Sequence, residues 1–351
     1  MNTISKTTSL DSAIVESAKN VFFVDSFEDG KKMIRSRTAS KVFLNGSSAH
    51  NSFHYDDGYW HIALDGQILF ASNLICSFSG GRTSAYMSYV IKNKYPNAIF
   101  VFANTGLEHN KTLDFVDAVD RTFDLNLIWL EAEFTSEDKP LGFKRVTFES
   151  AARNGQPFEE MIRRFGLPNQ SFPHCSRELK KNVINRYFKE VGLSDRFMAI
   201  GLRADEIDRY SATADADRLW YPLMEEDIVK DDVLRFWDSQ SFDLEVSTIE
   251  GNCQGCWKKS ENKLRALANT SPEVFLLMQQ YQDKYSAHFP VTQANRRNSE
   301  NYMYRGYKEP AWFVENKLAS DKFDEMTNWV KNSTFVQQDL DLCGSESCES
   351  F

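Results

Sequence analysis

Ser79-Gly80-Gly81-Arg82-Thr83-Ser84 sets two glycines, three hydroxyls and a guanidinium in consecutive positions. Glycine lets the main chain approach a ligand closely and take positive φ. Where a strand gives way to a helix, the first-turn N–H groups and the helix dipole favour an anion. The run therefore predicts a cradle for phosphate, with Ser79, Thr83 and Ser84 as hydroxyl donors and Arg82 as a cation. A strand-to-helix turn with an ordinary Ser/Thr cap is the plainer account. The spacing is not that of a Walker loop, because no Gly-Lys-Ser/Thr follows, and it is not Gly-x-Gly-x-x-Gly.

The second chemical group is sulfur. Cys253-Gln254-Gly255-Cys256 brings two thiols onto one turn, and Cys175 lies in Phe172-Pro173-His174-Cys175-Ser176-Arg177, just ahead of a lysine-rich helix. A helix start and neighbouring cations lower a thiol pKa, which suits a metal ligand or a nucleophile. Cys175, Cys253 and Cys256 predict three ligands of a [4Fe–4S] cluster with one open iron; Cys343, Cys348 or His174 would close the set. Structural zinc is the alternative, and a redox dithiol a third reading. Cys76 falls in an apolar run and reads as buried and inert.

Fixed cations complete the picture. Lys180 and Lys181 follow Cys175, Lys258 and Lys259 follow Cys256, and Arg203 and Arg209 flank Asp205 and Glu206. An arginine just past a strand's carboxyl end suits a polyphosphate or sulfate, which it grips as a bidentate fork. Glu108 or Glu206 would hold Mg²⁺ between phosphates as hard oxygen ligands. His109, in the loop beside Glu108, reads equally as a substrate contact and as an exposed histidine without a role.

These residues need elements to place them. Leu74 to Phe78 predicts a strand running into the glycine loop, and Met87, Val90 and Ile91 a helix that Pro96 stops. Ala98 to Ala103 predicts a second strand, ending in Asn104-Thr105-Gly106; Leu113, Val116 and Val119 a second helix; Leu127 to Leu130 a third strand. A fourth follows at Phe197–Ile200. Alternating strands and helices imply parallel pairing, so the fold class is α/β, a doubly wound, mostly parallel sheet. Upstream, Tyr59 to Leu64 and Gln67 to Phe70 flank Asp65-Gly66, a hairpin signal. Downstream, a helix is predicted from Glu261 to Asn269.

The chain of 351 residues then divides into a small β-containing N-terminal extension (1–72), a nucleotide-binding α/β domain (73–238) and an irregular, cysteine-containing C-terminal region (239–351) with an acidic tail. With 42% hydrophobic and 26% charged residues, wholesale disorder is excluded. The formal charge of −9 argues against a generally basic nucleic-acid coat. Asn295-Arg296-Arg297 with Tyr302 to Lys308 would at most form a local basic, aromatic patch, and a surface loop is preferred there. No apolar run approaches the ~20 residues of a membrane span. The N-terminus shows no secretory h-region and six cysteines are too few for an oxidised scaffold, so a cytoplasmic protein is expected.

In these motifs the sequence resembles the PP-loop superfamily (adenine nucleotide alpha hydrolase-like), and within it the phosphoadenosine phosphosulfate (PAPS) reductase domain family. Ser-Gly-Gly-x-Thr-Ser is similar to the family's pyrophosphate loop, whose commoner form has Asp where Thr83 stands. Asn104-Thr105-Gly106-Leu107-Glu108 resembles its Asp-Thr-Gly segment, and Gly201-Leu202-Arg203-Ala204-Asp205-Glu206 with Arg209 its Gly-x-Arg-x-Asp-Glu segment. Tyr221-Pro222-Leu223 and Asp231-Asp232-Val233 also fit. Both loop glycines are kept, as in the ATP-using members. The reductases' C-terminal Cys-Gly-x-x-His segment is absent, so the arrangement looks closest to sulfurtransferases of DNA phosphorothioation and related phage or mobile-element proteins. The resemblance implies ATP or PAPS as the nucleotide, held by Ser79 to Ser84, Asn104, Thr105, Gly106, Glu108, Arg203, Glu206 and Arg209. It implies attack on the α-phosphorus with pyrophosphate release, then sulfur transfer, with Cys175, Lys180 and Arg203 as catalytic residues. A cysteine desulfurase as sulfur donor or a thioredoxin-like reductant would be the partner. The rival readings are a thiol-dependent PAPS reductase, with Cys175 attacking the sulfonate sulfur, and a nucleotide sensor without turnover, which the Asp-to-Thr departure at Thr83 motivates.

Overall fold

In the computed structural model the described residues are 74–96, 98–134, 141–193, 196–247, 249–288 and 300–332, together with the backbone of five upstream strands. Those strands are β1 (Val21–Val24), β2 (Lys41–Leu44), β3 (Ser52–Asp56), β4 (Tyr59–Leu64) and β5 (Gln67–Phe70), in that order in one sheet. β1 and β2 are parallel and the others antiparallel; Leu64 pairs with Gln67 in the β4–β5 pair, and Asp65-Gly66, the expected turn, lies outside the described residues.

A second, six-stranded sheet carries the chemistry. It contains β6 (Leu74–Ser77), β7 (Ile99–Ala103), β8 (Ile128–Glu133), β9 (Gly142–Val146), β10 (Phe197–Ile200) and β11 (Leu219–Trp220), in the order β11-β10-β6-β7-β8-β9. All neighbours are parallel except β8 and β9. The chain leaves β6 toward β7 on one side and later returns as β10 on the other, so the topological switch point lies between β6 and β10. Ligands of open α/β sheets settle at that crevice, outside the carboxyl ends of the strands.

Successive residues of a strand point to opposite faces, and this sheet is covered on both. Leu74 and Cys76, with Phe100, Phe102, Trp129 and Ala199, pack in one apolar layer. Ile75, with Val101, Leu130, Met198 and Ile200, packs in the other. That two-sided burial explains the unbroken apolar runs of the parallel strands. The first layer is covered by α1 (Arg82–Lys94), α2 (Asn110–Phe123) and α5 (Lys230–Asp238) through Met87, Val116 and Trp237. The second is covered by α3 (Gln156–Phe165) and α4 (Asn182–Glu190), and beyond them α6 (Glu261–Thr270) and α7 (Pro272–Tyr285). α8 (Pro310–Glu315) adds Phe313 to this layer, and α9 spans Ser320–Asn332. α1 ends ahead of Pro96, whose ring disfavours helical backbone in the residue before it. No helix among the described residues is long and apolar enough to cross a membrane.

Candidate functional site

β6 runs directly into the glycine loop. Gly80 has φ +85°, and a Cβ added there would stand 2.9 Å from Thr112 Cγ2, so only glycine lets the loop lie this close to α2. Ser84 braces the loop: its hydroxyl accepts from the Ser79 amide at 3.2 Å, lies 2.9 Å from the Ser79 hydroxyl and donates to the Gly81 carbonyl at 3.0 Å. Gly81 caps α1 and offers no side chain to its first-turn amides. Those amides have no preceding helical carbonyl to bond. The neighbouring strand end presses close, since a Cβ at Gly201 would stand 3.0 Å from Ser84 Cα.

Arg203, 6% exposed, faces this loop. Its Nη1 donates to the Thr83 hydroxyl at 3.0 Å; Nε and Nη2 each meet Asp205 at 3.0 Å, and Nη1 stands 3.2 Å from Glu206. Glu206 in turn accepts from the Arg203 amide and pairs with Arg209. Arg82 points elsewhere. Its fork takes both oxygens of Asp243 at 2.7 and 2.8 Å and donates to the Leu244 carbonyl, while Trp237 Nε1 donates to the Arg82 carbonyl at 3.0 Å. The cation expected over the phosphates is thus a brace between α1 and the chain after α5.

The segment after β7 is turned inward. Asn104 donates to Glu131 at 2.7 Å and to the Ala152 carbonyl at 2.9 Å, and accepts from the Gly106 amide at 3.1 Å. Thr105 donates its amide and hydroxyl to the Glu108 carboxylate at 2.8–2.9 Å. Glu108 is 5% exposed, and burial pushes its carboxyl above the usual range, opposed by Lys180, whose Nζ stands 3.9 Å away. The two carboxylates expected to hold Mg²⁺ are therefore committed to protein donors. His109 is explained by the helix it starts, since its Nδ1 accepts from the Lys111 amide at 3.1 Å.

A strap of chain crosses this end of the sheet. The His109 amide donates to the Asn252 carbonyl at 2.8 Å, Glu108 and Cys253 form an isolated antiparallel bridge, and the Gln254 amide donates to the Leu107 carbonyl at 3.0 Å. Lys259 anchors the strap's start, donating to the Ile249 and Glu250 carbonyls. Asn252 reaches the glycine loop, with its Nδ2 3.1 Å from where a Gly81 Cβ would stand. Nothing in the spacing of Asn252 marks it; only the strap's backbone pairing brings it there.

Beneath the strap, Cys175, Cys253 and Cys256 line one small, partly open pocket with Thr105, Lys180 and Ser176. Leu107, Phe158, Trp257, Met278 and Met303 supply its apolar walls. The structure thus brings together the three cysteines that the sequence singles out. It does not make them a ligand set: among the described residues no three His, Cys, Asp or Glu side chains are gathered to hold a metal ion. The remaining walls are aliphatic, aromatic and thioether groups, and His174 is turned away, stacked between Phe165 and Phe172 with Nδ1 2.9 Å from Arg177 Nη2. Cys343 and Cys348 lie outside the described residues, as do Asn295, Arg296 and Arg297. Of the aromatic stretch that follows, Tyr304 points inward, donating to the Gly255 carbonyl at 2.7 Å, and Lys308 pairs with Glu261.

A glycine loop at the switch point of a doubly wound, mostly parallel sheet defines a nucleotide-binding protein of PP-loop type. Within the chain, residues 73–216 match the phosphoadenosine phosphosulfate (PAPS) reductase domain. The chain is also 29% identical, over 285 residues, to an uncharacterised nin region protein of Escherichia phage lambda, covering 79% of this chain and 94% of that one. It is 25% identical over 114 residues to an uncharacterised protein of Methanocaldococcus jannaschii, covering 32% of this chain and 22% of the relative. The family match ends before the strap that carries Cys253 and Cys256.

Proposed function

We propose that the chain binds ATP through the amides and hydroxyls of Ser79 to Ser84 and uses it to adenylate an acceptor in the course of sulfur transfer. The observation that carries this reading is the Gly80-Gly81 loop at the β6–β10 switch point, with Arg203 bonded to Thr83. The acceptor oxygen would attack the α-phosphorus; the bond to the bridging oxygen breaks and pyrophosphate leaves. A sulfur nucleophile would then displace AMP. Positioning and charge neutralisation would supply most of the rate. Arg203 would orient Thr83 and lend positive charge to the loop, while Asn104, Thr105, Gly106 and Glu108 would line the nucleotide's side of the second strand end. Glu206 and Arg209 act through Arg203. The [4Fe–4S] or zinc centre does not fit the thiol arrangement among the described residues, and no step is routed through it. The expected cytoplasmic location and a sulfur-donor partner remain part of this proposal on sequence grounds.

A second reading is thiol-dependent reduction of PAPS, which the shared pocket of Cys175 and Lys180 favours. There the Cys175 thiolate would attack the sulfonate sulfur, releasing adenosine 3′,5′-bisphosphate. Calorimetric titration with ATP and with PAPS, followed by pyrophosphate release from ATP with candidate acceptors, separates the readings. Tight ATP binding with pyrophosphate release supports the first. PAPS binding with sulfite production under a dithiol supports the second. ATP binding with no turnover would leave a nucleotide sensor.

A further inference from the structure

The strap holds Cys253 and Cys256 at the two ends of a turn whose corners are Gln254 and Gly255. Gly255 has φ +63°, as the third position of a type II turn requires, and a Cβ added there would stand 2.8 Å from Val274 Cγ1. Such a turn brings its end Cα atoms within about 7 Å, overlapping the roughly 4.4–6.8 Å that a disulfide spans. The frame is fixed on both sides by the Gln254 amide on Leu107 and the Tyr304 hydroxyl on the Gly255 carbonyl. The two Cα atoms are therefore held within the span of a disulfide by main-chain contacts that do not depend on the thiols.

Three further observations converge. Cys175, Cys253 and Cys256 are each half-buried and in no disulfide, so part of each residue is open to solvent. The pocket walls are apolar, with the Lys180 ammonium among the lining groups. The three thiols are not gathered as a metal-ligand set, whereas a disulfide needs only two of them.

We propose that Cys253 and Cys256 form a reversible dithiol–disulfide pair that exchanges with a low-molecular-weight disulfide or dithiol. The exchange balances as two displacements. One cysteine thiolate attacks a sulfur of the oxidant R–S–S–R, forming a mixed disulfide as the R–S–S–R bond breaks and RS⁻ leaves. The second cysteine thiolate then attacks the protein sulfur of that mixed disulfide, forming the Cys253–Cys256 bond and expelling the second RS⁻. Two electrons pass from protein to oxidant, and the two thiol protons end on two molecules of RSH. An external dithiol runs the same steps in reverse.

The test uses the full chain equilibrated in glutathione buffers of graded oxidation, then alkylated and analysed by mass spectrometry. Circular dichroism follows folding and elemental analysis follows zinc and iron. The expected result is a folded, oxidised form two hydrogens lighter, with Cys253 and Cys256 protected from alkylation, linked in one peptide and restored by dithiothreitol. Cys175→Ser should leave that link intact. Cys253→Ser and Cys256→Ser should abolish it and leave a glutathione adduct on the remaining partner. Full alkylation at every glutathione ratio overturns the proposal. So does a link that forms only in unfolded protein, or stoichiometric zinc or iron that blocks oxidation. ATP binding measured on the same sample reports on the nucleotide reading independently, since the pair stands or fails whether or not the loop binds nucleotide.

Discussion

The Arg203 guanidinium donates to the Thr83 hydroxyl at 3.0 Å, joining the chain just past β10 to the first turn of α1 across the switch point. That bond gives Thr83 a role without the acidic group more common at its position. Replacing Arg203 by Ala strips a buried cation from Asp205 and Glu206, with an expected stability loss of about 2 kcal/mol, because Asp205 is partly in water. It should also weaken ATP binding at least ~10-fold, or ~1.4 kcal/mol. Thr83→Val removes the hydroxyl that accepts this bond and would donate to a phosphate, and should cost about 1 kcal/mol of stability. Calorimetric titration of the folded variants checks the order; unchanged affinity in both would remove Arg203 from the pocket.

Arg82 is the contrasting case. Its pair with Asp243 is bidentate, but the two side chains are 29% and 38% exposed, so the pair is worth at most about 1 kcal/mol. Arg82→Gln should lower the melting temperature slightly and change ATP affinity less than ~3-fold, about 0.6 kcal/mol. A ~10-fold loss would mean that the guanidinium leaves Asp243 to meet the phosphates.

The contrast between these arginines shows what the sequence conveys and what it withholds. Phe197–Ile200 is legible to the residue because a short apolar run ends at Gly201, and α1 because Pro96 stops it. β9, with Lys144 and Arg145 in its middle, carries no such pattern; it forms because the β8 edge offers unpaired backbone groups. The strap is hidden for the same reason. Its bonds run from His109 and Gln254 amides to carbonyls, and a backbone bond leaves no trace in residue types. Arg82 and Asp243 lie 161 residues apart, so the short-range pattern shows a cation in the loop but not its partner. The three cysteines were identifiable by type and neighbours; that they share a pocket without forming a ligand set depends on the walls, which come from α3, α7 and the chain beyond.

His174 should make stability depend on pH. Burial, then the Arg177 guanidinium, lowers its pKa from 6.5 to about 4. The unfolded chain therefore takes up a proton near pH 6.5, while the folded chain stays neutral until about pH 4. Stability present above pH 6.5 is then lost as pH falls through this window, by up to about 3 kcal/mol at ~1.4 kcal/mol per pH unit. Urea unfolding of wild type and His174→Phe between pH 7 and 4 checks it. The variant's curve should be flatter in this interval, and parallel curves would show that His174 does not titrate there.

The two loop glycines should separate folding from binding. Gly80 has positive φ, and its added Cβ would meet Thr112 at 2.9 Å and Phe102 and Val116 at 3.3 Å. Gly80→Ala therefore strains the backbone and the α2 contact together, at about 1–3 kcal/mol. Gly81, with φ −97°, accepts a side chain without backbone strain, and its added Cβ would meet only the tip of Asn252 at 3.1 Å and Ser79 Oγ at 3.9 Å. Gly81→Ala should lose only about 0.5–1 kcal/mol of stability as a poorer helix cap. It should still weaken ATP binding several-fold, by crowding the cradle and moving the Asn252 carboxamide. Asn252→Asp, which sets a negative charge beside the same loop, should weaken ATP binding more than Asn252→Ala. Melting curves and ATP titrations on the four variants give the comparison. If Gly81→Ala and Asn252→Asp both bind ATP like wild type, the phosphates do not sit over α1, and the strap is only a structural tie.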